Sequence, residues 1–333
     1  PHAVRLKLPE NFTVTADDAI RGKIRFENPP LRDPVLLKSD GFPTYHLAVV
    51  VDDHLMQISH VLRGEEWIAT FPIHWYLYDL FGWSKPVFAH LPVILGEDGK
   101  KLSKRHGAVT TAELRDAGFL PQAILNSLCL VGWSHPEGKE LFEISEFVEH
   151  FSLERVHASS GILSFPKMLK FNHEHIKALE PPEFLGYMKK ILGANIPDFS
   201  SAYLKIIQER SHTLNDLRSL FCFLSPETTY ELSQIQELEA YKVLKVVETF
   251  REALSSFDRE ALNKTIEELS KQVSWKKSEV FKVIRIATLK KLETPPLIDT
   301  ILEFGKEWTE ARLEEFEMFF NKHTCVRKLN NQN

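Results

Sequence analysis

PVFAHLPVILGEDGKKLSKRHGAVTTAEL, residues 86–114, is the stretch in which the chain changes architecture. Val87 to Leu95 form an apolar run of strand length, and Gly96-Glu97-Asp98-Gly99 supply the residue types that reverse a chain. Behind that turn stand Lys101, Lys104 and Arg105, three cations on one short segment. From Thr110 onward the apolar spacing is helical almost throughout: Thr111 is a good N-cap with Leu114 following, and Pro121 suits a first helical turn. An α/β region therefore gives way here to an all-α one.

Upstream, Ala3–Leu8 and Lys23–Phe26 alternate apolar and charged residues with the two-residue period of half-buried strands. After the turn-forming Asn28-Pro29-Pro30, the segment VLLKSDGFPTYHLAVVVDDH, residues 35–54, predicts a short strand, a Ser-Asp-Gly turn and an apolar element ending at Asp52-Asp53. Helical spacing runs from about Trp67 to Leu80. Downstream, Pro181-Pro182 cannot continue a helix and marks a boundary. Three regions result: α/β over 1–108, helical over 109–180, and a second helical region over 181–333.

With 333 residues and 43% hydrophobic side chains, the chain can bury two or three cores. Its most apolar stretch, Ile124–Trp133, is far shorter than the roughly 20 residues a membrane span needs, so a soluble protein without a membrane partner is expected. The formal charge of −5 does not exclude a nucleic acid, because binding follows local clusters of Lys and Arg. Cys129, Cys222 and Cys325 lie far apart, with no CxxC pair, so neither a disulfide framework nor a zinc site is signalled. Pro1 opens on what reads as mid-domain sequence, and the natural N-terminus, with any targeting leader, is expected upstream.

The KLSKR segment, residues 101–105, can fold over a polyphosphate, where ammonium groups neutralise charge that builds on a leaving pyrophosphate. The competing reading is a solvated basic turn. A Walker A loop is excluded, since Gly96-x-x-Gly99-Lys100 has two residues between its glycines instead of four, and Lys101 stands where Ser or Thr should follow. Asp52-Asp53 is read as a helix-capping pair before a Mg²⁺ site, and His173-Glu174-His175 as a polar helix start before a ligand pair. No metal-ligand set is assigned.

PTYHLAVVVDDHLMQISHVLRGEEWI, residues 43–68, together with KLSKR, resembles the class I glutamyl-tRNA synthetases of bacterial or organellar type. In that family a PTY element, a DD-H pair, an RGE-E-W element and a KLSKR or KISKR loop occur in this order at nearly these separations. The resemblance implies that Tyr45, His46, Leu47, Ala48, Val49 and Arg63 line a glutamate pocket. It implies also that Glu66 and Trp67 border ATP with Lys101, Leu102, Ser103, Lys104 and Arg105, among which Lys101 and Lys104 are catalytic. A guanidinium suits a substrate with two carboxylates, since it grips one in a bidentate way. Many bacterial members place an Asn where this chain has Val49, which puts one substrate contact in doubt. SEVFKVIRIATLKKLETPPLIDTILEFGKEW, residues 278–308, is similar to the family's anticodon-binding domain, with Arg285 at the arginine of its PLR element, where Val283 and Ile284 replace Pro and Leu; the match implies a tRNA contact, against the competing reading of a solvated helix face. Lys276, Lys277, Lys282, Lys290 and Lys291 could add phosphate contacts. Asn172 and Ile176 match a family pair near the end of its stem-contact region.

The resemblance implies the C-terminal half of a class I Rossmann-like catalytic domain with part of its insertion over 1–108. A helical stem-contact region over 109–180 and an all-α anticodon-binding domain over 181–333 follow. It implies ligation of L-glutamate to tRNA(Glu) through a glutamyl-adenylate, using ATP and Mg²⁺; tRNA(Gln) as a second acceptor and the oligomeric state stay open. The family's earlier His-Ile-Gly-His-type element has no match in these residues, so the chain alone is expected to be inactive. The alternative is a truncated, non-catalytic tRNA-binding product. The long helical region after Pro182 argues against the short glutamyl-queuosine-type enzymes and against the β-barrel anticodon module of glutaminyl-tRNA synthetases. Details of the sequence resemble animal mitochondrial forms, which implies the mitochondrial matrix, with the bacterial cytoplasm as the alternative.

Overall fold

The computed structural model describes residues 2–29, 33–102, 110–194 and 196–330, with side chains to residue 323. The chain divides into two compact units, one formed by Pro1–Thr111 with Pro121–Phe171, the other by Ala112–Leu120 with Asn172–Asn333.

In the first unit, β1 (Val4–Arg5), β2 (Thr13–Asp18), β3 (Gly22–Glu27) and β4 (Val35–Leu37) lead to helix α1 (Tyr45–Leu55). The alternation over Ala3–Leu8 yields only the two-residue β1, paired antiparallel with β4. β2 and β3 form a regular antiparallel hairpin. Thr44, placed like an N-cap of α1, donates its hydroxyl instead to the Val35 carbonyl at 2.6 Å, which fastens the helix start to β4. Asp52 and Asp53 lie in the last turns of α1, so they do not cap it as expected. β5 (His60–Gly64), α2 (Phe71–Phe81) and β6 (Val87–Leu91) follow as a β-α-β unit whose strands pair in parallel. Gly82 ends α2 in the left-handed region, at φ 67°, where glycine has no Cβ penalty. Phe71, Ile73, Leu77 and Tyr78 from α2 and Phe88 from β6 are buried against Ala16, Leu36 and Val50. Each buried Phe, Ile, Leu or Val among them contributes roughly 1.5–3 kcal/mol.

Strand geometry stops at Leu91, short of the predicted Leu95, but Leu95 is still paired on both sides. It bridges Lys101 antiparallel and Ile162 in parallel. Gly99, at φ 71°, reverses the chain between Gly96 and Lys101. α3 (Thr111–Asp116), α4 (Pro121–Gly132), α5 (Ile144–His150) and α6 (Phe165–Ala178) come next. His173 and His175 fall late in α6, so the HxH group does not start a helix; the His173 Nδ1 lies 2.9 Å from the Ser211 carbonyl.

The second unit is helical: α7 (Pro181–Leu192), α8 (Ser201–Gln208), α9 (Asp216–Leu220), α10 (Ala240–Glu252), α11 (Arg259–Val273), α12 (Lys277–Leu289), α13 (Leu297–Phe304) and α14 (Lys306–Asn330). Leu262, Ile266, Leu269 and Val273 recur on one face of α11 and are buried. Asp258 caps that helix, accepting the Ala261 N–H at 2.9 Å. Buried Asn172 accepts the Leu120 N–H at 2.7 Å and donates to the His212 carbonyl at 2.6 Å. Its amide thus joins two backbone segments that would otherwise bury unpaired polar groups.

Candidate functional site

Parallel pairing places Arg63 of β5 directly beside His90 of β6. Arg63 Nε donates to His90 Nε2 at 2.9 Å, and Arg63 Nη1 donates to His74 Nδ1, in the first turn of α2, at 2.8 Å. A guanidinium only donates, so both imidazole nitrogens that face it must be acceptors. His90 therefore carries its proton on Nδ1, which lies 2.6 Å from Asp18 Oδ2. Burial alone would raise the Asp18 carboxyl. Hydrogen bonds from the His90 ring and from the backbone N–H groups of Arg21, Ile20 and His90 outweigh it and hold Asp18 below the ordinary value.

His74 lies between Arg63 and His46, with its Nε2 2.9 Å from His46 Nδ1. Burial first, then the charge of Arg63 and the neighbouring His46 and His90, push His74 down to about 3, so it is neutral at ordinary pH.

 Burial, followed by Arg63, lowers His46 as well. Arg63 itself is drawn below its ordinary value by burial, while Tyr45, Asp53 and Asp18 favour its charged form. Its Nη2 is buried without a hydrogen-bond partner, and among the described residues no carboxylate lies within ion-pair distance of the guanidinium. A desolvated cation held by two neutral rings is costly until an anion meets it.

Around this group the first turn of α1 supplies Tyr45 and His46. The Tyr45 ring lies 4.7 Å from Trp67 and 5.9 Å from His74, between centroids, with Trp67 forming an apolar wall. Phe71 and Phe88 lie 5.7 and 5.6 Å from the Arg63 guanidinium carbon. Tyr45, His46 and Arg63, named for a glutamate pocket, and Trp67, named for ATP, are thus brought together. Leu47 and Val49 pack against the core of the unit, and Ala48 is half-buried on the same helix. Glu66 is exposed, its carboxylate folded over Gly64, where an added Cβ would meet it at 2.2 Å.

Lys101 is exposed and Leu102 half-buried. Their backbone is fixed: the Leu102 N–H donates to Ile94 at 2.8 Å, and the Gly96 N–H donates to Lys100 at 2.9 Å. Leu95 in turn donates to Gly161 and accepts from Leu163, both at 2.9 Å. Glu65 accepts the Val93 N–H at 3.1 Å and pairs with Arg21, which ties the end of β5 to the strand leading towards Lys101. Ser103, Lys104 and Arg105 lie outside the described residues.

Sequence reading missed Asp18, Glu65, His74 and His90. His90 sits inside the stretch that decides the fold, but only strand register reveals that it faces Arg63. His74 lies amid the apolar residues of α2, where a histidine reads as packing.

Two other groups carry the residue types of a site. His135, Glu146 and His150 lie close enough to hold a metal ion. However, His135 Nδ1 accepts the Glu137 N–H at 3.1 Å, so its proton belongs on Nε2, the nitrogen that faces Glu146 and would have to ligate. Lys139 also occupies Glu146 at 2.7 Å. In the second unit, Arg285 donates to the Thr294 hydroxyl and the Pro295 carbonyl, both at 2.9 Å, and holds the link before α13. Lys276 and Lys277 are exposed. Lys290, expected as an accessible cation, is instead buried, 3.3 Å from Glu315 and over the Tyr230 ring.

Residues 1–169 match the family model of the class I tRNA synthetase (E and Q) catalytic domain, and residues 166–316 match an anticodon-binding domain. A glutamate–tRNA ligase of Herpetosiphon aurantiacus is 38% identical over 329 residues, covering 93% of this chain and 66% of its own length. One from Dehalococcoides mccartyi is 38% identical over 325 residues, covering 93% and 67%. The crystal structure of a glutamate tRNA ligase from Elizabethkingia meningosepticum, in complex with its amino acid, superposes with a TM-score of 0.81 at 32% identity, covering 95% of this chain and 68% of that one. The chain spans about two thirds of the length of the curated relatives it matches.

Proposed function

We propose, because the chain belongs to the class I tRNA synthetases for glutamate and glutamine, that the full-length protein ligates L-glutamate to tRNA(Glu). The observation that carries this reading is Arg63: a half-buried guanidinium with an unpartnered Nη2, beside an exposed Tyr45 and a Trp67 wall. Such a group selects a small carboxylate ligand, and Tyr45 and His46 add donors at the same place. The α-carboxylate of glutamate attacks the α-phosphorus of ATP, which enters as its Mg²⁺ complex. An acyl–phosphate bond forms, the bond to the β-phosphate breaks, and pyrophosphate leaves. A hydroxyl of the tRNA 3′-terminal ribose then attacks the acyl carbon, its proton is lost, and AMP leaves.

Lys101, with Lys104 and Arg105 beyond it, would neutralise the pyrophosphate, and Glu66 and Trp67 would border the nucleotide. The paired backbone at Leu95 and Leu102 supports this role, since it fixes the root of the basic segment. For the helical parts we propose a stem-contact region over 109–180 and anticodon contacts from 181–333. Arg285 would act through the Thr294-Pro295 link it holds, and Lys276 and Lys277 through phosphates. The mitochondrial matrix is the proposed compartment, resting on sequence details alone; the relatives named above are bacterial, and imaging of the tagged full-length protein separates the two.

The test is charging by the full-length protein with tRNA(Glu) and tRNA(Gln) transcripts, with glutamate and glutamine compared. Glutamate-dependent charging of tRNA(Glu) that disappears in Arg63→Ala supports the reading. Charging with glutamine, or charging indifferent to Arg63, overturns it. Charging of tRNA(Gln) as well would make the second acceptor real.

A further inference from the structure

The hydrogen bonds around Arg63 have a direction. Arg63 can only donate, so His74 Nδ1 accepts and the proton of neutral His74 resides on Nε2. That proton points at His46 Nδ1, 2.9 Å away, and can be donated only if His46 Nδ1 is unprotonated. The proton of neutral His46 is thereby forced onto Nε2. His46 is half-buried, and no hydrogen-bond acceptor meets its Nε2 among the described residues. On the opposite side Asp18, through His90, fixes the Nε edge of the guanidinium by the same logic.

We propose that His74 is a positioning residue that locks His46 in its Nε2–H tautomer, so that His46 and Arg63 together present N–H donors to one carboxylate ligand. The inference rests on the glutamate-binding reading above and adds a specificity-determining residue to it. Val49, one turn along α1 from Tyr45, has no hydrogen-bonding side chain, so His46 is the polar donor that this helix offers beside the Tyr45 hydroxyl. The other tautomer of His46 would aim a lone pair at the carboxylate and repel it. The arrangement therefore favours acids over amides: an amide NH₂ finds no acceptor on Arg63 or on His46 in this tautomer, which leaves it the Tyr45 hydroxyl oxygen alone among these three side chains.

The test uses the full-length protein. His74→Phe keeps a ring and removes both nitrogens, whereas His74→Gln keeps one acceptor and one donor. The expected result for His74→Phe is a glutamate KM raised about tenfold or more, as for loss of one hydrogen bond to a charged group, with the KM for ATP unchanged. His74→Gln should recover most of the loss. His46→Phe should show the same selective rise in the glutamate KM, and the double variant should fall short of the product of the two single effects, because both act on the His46 donor while His74→Phe also frees Arg63 Nη1. In the unaltered protein, ¹⁵N–¹H correlation spectra should show the His46 proton on Nε2, a readout that needs no variant. A His46 proton on Nδ1, or equal losses in the glutamate and ATP KM values, would overturn the proposal. If the unaltered protein binds no glutamate by calorimetry, the functional reading fails instead.

Discussion

Arg63 shows how much a site can ask of one residue. Its Nε and Nη1 are spent on His90 and His74, and Nη2 has no hydrogen-bond partner among the described residues. A lysine offers three rotating protons on a point charge and cannot span both rings while still presenting a fork. Arg63→Lys should therefore keep the fold but raise the glutamate KM about tenfold or more, with the ATP KM unchanged; steady-state kinetics on the full-length protein checks this. The same cluster makes stability depend on pH. His74 sits at about 3 in the folded chain, below its ordinary 6.5, because of burial and the adjacent charge of Arg63. Between those values the unfolded chain binds the proton and the folded chain does not, so stability falls as pH drops through that window. The slope is up to about 1.4 kcal/mol per pH unit. His46, lowered for the same reasons, adds to the fall, whereas Asp18 acts below its ordinary 3.8. Denaturant unfolding between pH 4.5 and 6.5 should show the fall, and His74→Phe should flatten it.

At the scale of elements, the sequence was readable where periodicity is strong. The strand around Lys23–Phe26, the helix opened by Pro121 and the turn at Gly96–Gly99 form where residue types place them, and the Pro181-Pro182 boundary proves to be the first turn of α7. What stayed hidden depends on pairing between distant segments. Ala3–Leu8 shortens to two residues where its strand partner among the described residues, β4, has three, and Thr44 abandons a cap for the Val35 carbonyl. Tyr45, Arg63 and Trp67 are singled out through the family resemblance alone; the imidazoles that aim Arg63 are not, since they arrive from α2 and β6 through register. Gly161 shows the same dependence. Its N-terminal neighbourhood is ordinary loop sequence, yet a Cβ there would lie 1.8 Å from the Val131 carbonyl oxygen, and its own carbonyl holds Leu95. Gly161→Ala should push the 161–163 segment off α4 and loosen the root of the basic loop. It should cost about 1–3 kcal/mol and raise the ATP KM more than the glutamate KM. Thermal unfolding with both KM values checks this; a raised glutamate KM alone would contradict it.

For the whole molecule, the two units have separate cores, and the chemistry is unevenly divided between them. The first contains the Arg63 cluster and the residues leading into the basic KLSKR segment, and the second is helical and matches an anticodon-binding domain. The sequence of these residues has no His-Ile-Gly-His-type element, the other half of the ATP-handling machinery that the family resemblance implies. Adenylate formation requires both the carboxylate and the α-phosphate to be held, because positioning and charge stabilisation supply most of the rate in such transfers. Holding one partner leaves the reaction bimolecular in the other. The 333-residue chain on its own is therefore expected to give no glutamate-dependent ATP–pyrophosphate exchange above background, while the full-length protein gives it readily. A gel shift with tRNA(Glu) should still report binding by the isolated chain, since phosphate contacts need only accessible cations on a folded helical body. Exchange by the isolated chain at a rate comparable to the full-length protein would mean that the Arg63 cluster and the basic loop suffice for adenylation. Loss of tRNA binding together with exchange would instead place the recognition surface outside these residues.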